Sequence, residues 1–424
     1  GSAASSINIF NTTAVGCSSR VSNVQSAITH IGGGFAFLMS YGGSSSLQQT
    51  DVRNSCFSGN NLTIVSWGVS QSTYMGGGAL YVVSTGFQDA VTDSTTQFTL
   101  RNSTFSSNLA ILVDPASQQP VTHSLQEIDQ QLAVLDDSVF DRNTASMHST
   151  STGLPSFVCR QTPTITFGGG ALFAVSPDTF QPTFSMSFSE SLFKDNHAAY
   201  VPPPPGSAWS LIVRVGGGAV NAISASSPFQ DALLSCNIQW MTFSGNTVSS
   251  ADQVGSLTSG QGGAGYFDNL VVEVMQTRVI HNSAQWEGGG FFFTSSCTMS
   301  ISGSSTFQLN SALRGGAVFS SGVASLTNMT CIQNRASQRG GCASLDSDDS
   351  VHTISAIVMG NFSPMGGGIS VAGEGPVRIF NSFFHQNVAQ NLGGALVVFL
   401  RLNGNVTVTN SSITSNSVLS GLGG

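Results

Sequence analysis

A double or triple glycine followed by an apolar segment recurs along the chain, and this repeat constrains the fold more than any other feature. It reads GGAVFS from Gly315, GGCASL from Gly340 and GGALVVF from Gly393. From Gly262 onward the copies begin at intervals of 26, 27, 25, 26 and 27 residues, whereas upstream the intervals are 44, 92, 48 and 46 residues. Such a period is typical of a solenoid, in which the chain returns to the same corner once in every coil.

A second motif, an apolar residue followed three positions later by asparagine, lies between successive glycine segments. We predict that these asparagines stack in a ladder, with side-chain amides hydrogen-bonded from coil to coil, and that they take the left-handed backbone conformation at their corner. The predicted ladder contains Asn60, Asn108, Asn143, Asn196, Asn246, Asn282, Asn310, Asn334, Asn361, Asn387 and Asn416.

Together the two motifs predict an all-β fold, a parallel solenoid of about 11 coils with one partial coil before Gly32. Residues 1–424 are predicted to form one domain, in which residues 1–261 carry coils with long loop insertions from one corner and residues 262–424 carry regular coils of about 26 residues. Two insertions are residues 112–124 and 201–209.

Two segments of the N-terminal half fit the repeat less clearly. Residues 125–137 have a helical composition, which leaves a loop or short helix and a strand as open alternatives. The 92-residue interval holds two copies of the asparagine motif, so one coil there has lost its glycines. We predict that residues 109–114 (LAILVD) fill that missing glycine slot.

Alternation along a strand places the third and fifth positions of each glycine segment on one face. We predict that this face forms the core, together with the apolar residue of the asparagine motif. The predicted core pairs are Ala79 and Tyr81, Ala171 and Phe173, Phe291 and Phe293, Ala317 and Phe319, and Ala395 and Val397.

The alternation of GGA plus an apolar residue with FxxN resembles the repeat of the chlamydial polymorphic outer membrane proteins, and the resemblance covers nearly the whole chain. It implies a right-handed parallel β-helix of pectin-lyase-like shape. Because the chlamydial proteins are surface adhesins, it also implies a place at the cell surface. A fold of this kind hosts many functions, so the repeat by itself does not define one.

Composition excludes several partners. Charged residues make up 8% of the chain, the net charge is −8 and Lys194 is the single lysine. The sequence therefore has no cluster of cations that would contact nucleic-acid phosphates. No apolar run approaches the roughly 20 residues of a membrane-spanning helix, so membrane insertion is not expected. The start of the chain has no signal-peptide pattern, and we expect any secretory signal to have been removed. The 7 cysteines include no CxxC pair, which argues against zinc and thioredoxin-like chemistry and leaves disulfide pairing open.

Acidic clusters are the candidates for chemistry. Asp136, Asp137 and Asp141 form one cluster, and a second run is a weak candidate for calcium or for a solvated loop. Of the motifs of pectin hydrolases only a bare DD pair occurs, without GHG or RIK. The sequence therefore predicts no catalytic residues, no cofactor and a non-enzymatic protein. The second run contains Asp346, Asp348 and Asp349.

Seven N-x-[ST] sequons give candidate N-glycosylation sites. Asn102, Asn328 and Asn410 each precede the inward apolar residue of the motif by three positions, so alternation turns them outward on one longitudinal rib. Asn361 is a ladder residue and is expected to be bare. The other candidate sites are Asn11, Asn61 and Asn405.

These features favour a secreted or cell-surface structural glycoprotein, a rigid β-helical rod that builds or decorates an extracellular fibre or wall. No polar cap is visible at either end of the repeat, so we expect a segment of a longer chain, with further domains of that chain or end-to-end self-association as partners, and with glycans as possible partners. Two alternatives stay open. One is a β-helix that binds or degrades polysaccharide, and the other is an adhesin module acting through the N-terminal loops.

Overall fold

The structure is a computed structural model in which two compact units are distinguished. The first contains Gly1–Phe184, Phe193–Leu233 and Thr247–Gly260, and the second contains Ser185–Leu192, Leu234–Asn246 and Gln261–Gly424. The residues that the structure describes are 4–24, 28–32, 36–42, 47–67, 72–76, 80–86, 95–113, 130–148, 164–176, 183–201, 212–224, 234–250, 257–347, 352–400 and 404–421.

The described residues fold as an all-β parallel solenoid, as predicted, and they include no α-helix. None of these residues forms a helix long and apolar enough to cross a membrane. Equivalent strands of successive coils pair in parallel. Leu47–Arg53, for example, pairs with Ala4–Phe10 on one side and with Thr95–Arg101 on the other.

In the first unit each coil begins with a long strand and a short strand, continues with one or two strands after the ladder corner, and ends with a strand after the glycine corner. The long strands are Ala4–Phe10, Leu47–Arg53, Thr95–Arg101 and Gln130–Asp136, and the short ones are Thr13–Val15, Cys56–Ser58, Thr104–Ser106 and Val139–Asp141. After the ladder corner lie Ser18–Val24, Asn61–Trp67, Leu109–Val113, Thr144–His148, His197–Val201 and Thr247–Ser250, and then Ile28–Gly32, Ser72–Gly76, Thr164–Gly168 and Ile212–Gly216. After the glycine corner lie Ala36–Gly42, Leu80–Gly86, Leu172–Ser176 and Val220–Ser224.

The second unit repeats this coil without the long insertions. Its long and short strands are Leu234–Gln239, Thr242–Ser244, Val271–Met275, Arg278–Ile280, Thr298–Ser302, Ser305–Gln308, Val377–Phe380, Phe383–His385, Val406–Thr409 and Ser412–Thr414, and the two merge in Val323–Ile332 and His352–Met359. After the ladder corner lie Ser283–Ala284, Ser311–Arg314, Arg335–Arg339, Phe362–Met365, Val388–Leu392 and Ser417–Val418. After the glycine corner lie Gly265–Asp268, Phe291–Phe293, Val318–Ser320, Ala343–Ser347, Ile369–Gly373 and Leu396–Leu400. Three strands lie where the chain passes between the units, namely Thr183–Ser189, Leu192–Lys194 and Leu257–Gln261.

The corners are made by residues in the left-handed backbone conformation, but the ladder asparagines are not among them. The positive φ belongs to the residue just before each ladder asparagine, such as Leu309 at 56° and Gln333 at 54°. The prediction that the ladder asparagine itself is left-handed is therefore wrong. The side chain of Asn310 is turned inward instead, where its amide is buried.

The glycine corner needs its second glycine for space rather than for conformation. A Cβ added to Gly316 would lie 2.2 Å from the Gly341 oxygen and 2.7 Å from the carbonyl carbon of Arg335, both backbone atoms of the next coil. No side chain fits there without moving that coil. Gly289 and Gly367 are equally close to backbone atoms of their neighbouring coils. This close approach explains why the double glycine recurs at this corner.

The apolar residues of the asparagine motif form the predicted inward column. In the first unit the rings of Phe57, Phe105, Phe140 and Phe193 follow one another at centroid separations of 4.9, 5.0 and 4.6 Å. All four side chains are buried. Stacked rings of this kind bury a large apolar area and fix the register between coils.

The predicted core face of the glycine segments is confirmed for Phe291 and Phe293 but wrong for Phe319 and Val397. The ring of Phe291 contacts Phe243 and Phe307 of the inward column at 5.3 and 5.8 Å. The strand register places Val397 in the column of Phe319.

Phe291 pairs with Val318 and Phe292 pairs with Phe319, so Phe293 and Phe319 lie on opposite faces of the sheet. Gly288 begins this segment with a φ of 64°, which makes Gly290 its third position. Residues of both faces are buried here, and Phe292 and Phe319 stack at 5.4 Å.

Three details of the N-terminal half differ from the sequence-based expectation or complete it. Leu109–Val113 follows the ladder corner and pairs with Thr144–His148, so it does not fill a glycine slot. Gln130–Asp136 is a strand, which settles that part of the segment left open. Finally, Thr13–Val15 pairs with Cys56–Ser58, which confirms the partial coil predicted before Gly32.

Candidate functional site

The asparagine ladder is the most regular polar feature of the molecule. In the second unit Asn282 Nδ2 donates to Asn310 Oδ1 at 3.0 Å, and Asn310 Nδ2 donates to Asn334 Oδ1 at 3.0 Å. The same oxygen also accepts the backbone N–H of the preceding ladder residue, as in Asn310 N to Asn334 Oδ1 at 2.9 Å. Each amide therefore satisfies several buried groups at once. The contacts continue through Asn361 and Asn387 to Asn416.

In the first unit the ladder has the same geometry. Asn60 Nδ2 donates to Asn108 Oδ1 at 2.9 Å, and the contacts continue from Asn108 to Asn143 and from Asn143 to Asn196 at 3.0 Å. Cys17 takes the position before Asn60, and its backbone N–H donates to Asn60 Oδ1 at 3.0 Å. This is the partial coil predicted before Gly32, in which cysteine replaces the asparagine and Ala14 replaces the phenylalanine of the motif.

An outer corner column, formed by the left-handed residues between the long and short strands, carries most of the candidate glycosylation sites. Asn11, Asn102, Asn328 and Asn410 all lie in it, are exposed and have φ values of 49, 44, 50 and 45°. Asn405 is exposed elsewhere, and Asn61 is half-buried. Asn361 is buried in the ladder. The column contains Asn11, Asn54, Asn102 and Asp137 in the first unit, and Glu190, Trp240, Gln276, Ser304, Asn328, Asn381 and Asn410 in the second.

Hydroxyl groups line the interior beside this column. The Ser103 hydroxyl donates to the Arg101 oxygen at 2.9 Å, and Ser103 Oγ accepts the backbone N–H of Ser55. In the second unit Ser305 Oγ accepts the N–H of Thr277 in the same manner. The middle residue of the Asn102 sequon is thus buried while its asparagine points to solvent.

The acidic residue Asp346 lies on the strand after the glycine corner and pairs with a charged column just before that corner, so it does not form an open cation site. Asp346 Oδ2 lies 3.3 Å from Arg314 Nη1 and 3.3 Å from Arg339 Nη2. Arg314 also pairs with Glu287, whose other oxygen accepts from Gln261 Nε2 at 2.5 Å. Two guanidinium groups on one carboxylate oppose the binding of a cation such as calcium. Burial is the main cause that lowers the pKa of Arg314.

The other acidic candidates are also accounted for where the structure describes them. Asp141 Oδ2 accepts from Arg142 Nε at 2.9 Å, Asp136 is half-buried and Asp137 is an exposed corner residue with a φ of 45°. Asp348 and Asp349 lie outside the described residues. Within the described ranges, no group of three or more His, Cys, Asp or Glu side chains could hold a metal ion.

The cysteines divide into one cross-link and several thiols. Cys331 and Cys342 form a disulfide, and both are buried. Cys331 is the inward residue of an asparagine motif and Cys342 follows a double glycine, so the bond crosses the interior of a single coil. Cys236 and Cys297 are free and buried, and burial raises the pKa of Cys297 to about 11. Cys17 is free and exposed, Cys56 is free and half-buried, and Cys159 lies outside the described residues.

His352 is a buried residue that the sequence does not single out. It lies in the inward column of the long strands, in register between Ala324 and Val377. Neither ring nitrogen has a hydrogen-bond partner among the described residues, and burial lowers the pKa of His352 to about 4. The imidazole is consequently neutral at physiological pH.

Comparison with protein-family models finds no match, and comparisons with curated proteins and with solved structures find no significant match either. The likeness of the repeat to the polymorphic outer membrane proteins therefore stays a prediction. The parallel solenoid stands on the strand register itself.

Proposed function

We propose that this chain is part of a secreted or cell-surface glycoprotein with a structural or adhesive, non-enzymatic role, whose stacked coils build or decorate an extracellular fibre or wall. The observation that carries the proposal is the Cys331–Cys342 disulfide inside a coil. Disulfides form and persist in oxidising compartments and are rare in the cytosol. A cross-link within an already hydrogen-bonded coil suits a protein that must last outside the cell.

The outer corner column supports the same proposal. Four sequon asparagines face solvent at equivalent positions of their coils, where a glycan would project away from the buried side chains. Asn328 is an example, since its neighbour Met329 is buried and its own side chain is exposed. Further coils, whether from the same chain or from a second copy, and glycans are the partners that we propose.

Mass spectrometry of the protein from its native source tests the proposal. Digestion without reduction should yield the Cys331 and Cys342 peptides joined, and glycosidase treatment should convert Asn102, Asn328 and Asn410 to aspartate. Cys236 serves as an internal control, because its buried thiol should be recovered unpaired. Recovery of both Cys331 and Cys342 as thiols, together with unmodified sequons, would place the protein in a reducing compartment and contradict the proposal.

Assembly is tested separately by native mass and negative-stain imaging of the same material. We expect particles larger than one chain, arranged as fibres or as layers. A monodisperse single chain without carbohydrate would exclude the fibre and wall roles.

A further inference from the structure

Trp240 is the exception in the outer corner column. Its φ is 50° and 52% of its side chain is exposed. The other members of this column in the described chain are Asn, Asp, Glu, Gln and Ser. Sequence reasoning missed it because tryptophan at this position breaks the pattern without creating a recognised motif.

Folding stability does not explain a tryptophan here. A left-handed backbone is unfavourable for an L-residue with a bulky side chain, whereas asparagine and glycine tolerate it. An exposed indole gains little by burial in return, and no hydrogen bond of its ring N–H is found among the described residues. Strained residues that contribute little to packing are enriched at functional sites.

Polar groups surround the ring on neighbouring coils. Glu190 occupies the same corner one coil earlier, since its N–H donates to the oxygen of Gln239 at 3.3 Å. Gln276 occupies it one coil later, since the Trp240 N–H donates to the oxygen of Met275 at 3.2 Å. Both side chains are exposed. Adjacent coils are separated by about 4.8 Å, so a carboxylate and an amide flank the indole within reach of one ligand.

A guanidinium group lies close to the same corner. Arg278 is exposed two residues after Gln276 and pairs in register with Thr242, which is two residues after Trp240. The corner therefore presents a flat apolar ring together with a carboxylate, an amide and a guanidinium. Exposed aromatic surface flanked by a few polar groups is typical of sites that bind small polar ligands.

This chemistry matches a sugar better than a membrane. A pyranose ring has an apolar C–H face that can lie on an indole, and its hydroxyls both donate to a carboxylate and accept from an amide or guanidinium. The Glu190 carboxylate would oppose an anionic lipid surface, and basic side chains that would favour one are rare in this chain. We propose that Trp240, with Glu190, Gln276 and Arg278, forms a binding subsite for a neutral polysaccharide of pyranose units. The proposal goes beyond the structural role and does not depend on it.

Affinity electrophoresis tests the site, with the whole chain run in native gels that contain hydroxyethyl cellulose, xyloglucan or galactomannan. We expect at least one polysaccharide to retard the wild-type protein. Trp240→Asn should weaken the binding by at least tenfold, and because asparagine is the usual residue of this column its melting temperature should stay equal or rise. Glu190→Gln and Gln276→Ala should each weaken binding severalfold.

Leu309→Asn is the matched control. Within the part of the chain that the structure describes, Leu309 is the other large apolar residue that is exposed with a positive φ, at 39% exposure and 56°, but it lies at the ladder corner. This variant should bind as well as wild type. The proposal is overturned if no polysaccharide retards the wild type, if Trp240→Asn is retarded as strongly as wild type, or if Leu309→Asn loses as much binding. Capture by phosphatidylcholine vesicles in place of the polysaccharides would also overturn it, because the ring would then be a membrane contact.

Discussion

Asn310 and Asn334 lie one above the other in adjacent coils, and the Nδ2 of Asn310 donates to the Oδ1 of Asn334 at 3.0 Å. Asn310 Nδ2 also donates to the oxygen of Val279 at 2.8 Å, and its own Oδ1 accepts from the backbone and side chain of Asn282. One side chain thus satisfies groups of both neighbouring coils. Because these groups are buried, water cannot replace a lost partner.

Removal of one ladder amide is therefore predicted to be costly. Asn310→Ala removes the acceptor of the Asn282 backbone N–H and the donor to the oxygen of Val279, while Asn282 Nδ2 keeps the oxygens of Phe243 and Ile280. We expect a loss of about 3 kcal/mol in the free energy of unfolding. Gln308→Ala is the control, because Gln308 ends the short strand just before this corner and is half-buried. It should cost less than about 0.5 kcal/mol. Denaturant unfolding measures both, and equal values for the two variants would contradict the ladder's role.

Space at the glycine corner gives a second prediction. Gly316→Ala places a methyl group against backbone atoms of the next coil and should cost about 3 kcal/mol or prevent folding. In Gly360→Ala the added Cβ meets only the Gln333 Cγ at 3.5 Å, so the cost comes from its positive φ alone and should be about 1 kcal/mol. Thermal unfolding of the two variants should show the larger loss for Gly316. The reverse order would mean that the coils are farther apart than described.

Burial of His352 predicts a pH-dependent stability. Its pKa falls from 6.5 to about 4 on folding, so the unfolded chain binds this proton more readily between these values and stability rises with pH across that window. The contribution of neutral His352 to the free energy of unfolding should be complete above about pH 6.5. It should fall by about 3 kcal/mol as the pH approaches 4. His352→Leu should flatten this part of the profile when unfolding is measured from pH 4 to pH 7. Parallel profiles for wild type and variant would show that another group is responsible.

The internal disulfide predicts a specific dependence on reductant. Cys331 and Cys342 are 11 residues apart, and closing a loop of this size stabilises a fold by about 3 kcal/mol. The double variant Cys331→Val, Cys342→Ala should lower the free energy of unfolding by that amount. Valine at 331 continues the column of Phe307 and Val358. Reduced wild type should then match the double variant. Cys236→Ala is the control, since it removes a buried thiol without a cross-link, and its loss should not depend on reductant.

Much of the fold could be predicted from the sequence because its causes repeat. The ladder asparagines and the glycine corners recur at nearly constant spacing, and each requires one residue type, as Asn310 and Gly316 illustrate. The inward phenylalanines were predictable for the same reason. The error over Phe319 and Val397 arose because alternation was counted from the third residue of the segment, whereas the strand after the corner begins one residue later, at Val318.

Other features could not be predicted because their residues do not resemble one another. Glu287, Arg314 and Asp346 meet through stacking of different coils, and nothing in their local sequence links them. The pairing of Cys331 with Cys342 depends on which residues face inward within one coil. Trp240 differs from every other member of its column, so only its position in the fold marks it as unusual.

A double-mutant cycle between Asn310 and Asn334 tests most directly whether stacked amides hold the coils together. The free energy of unfolding is measured for Asn310→Ala, Asn334→Ala and the double variant. Either single change already breaks the shared contact. The loss of the double variant should therefore be smaller than the sum of the two single losses, by about 1 kcal/mol or more. Losses that add to within about 0.5 kcal/mol would show that the two amides do not interact, and would contradict the ladder.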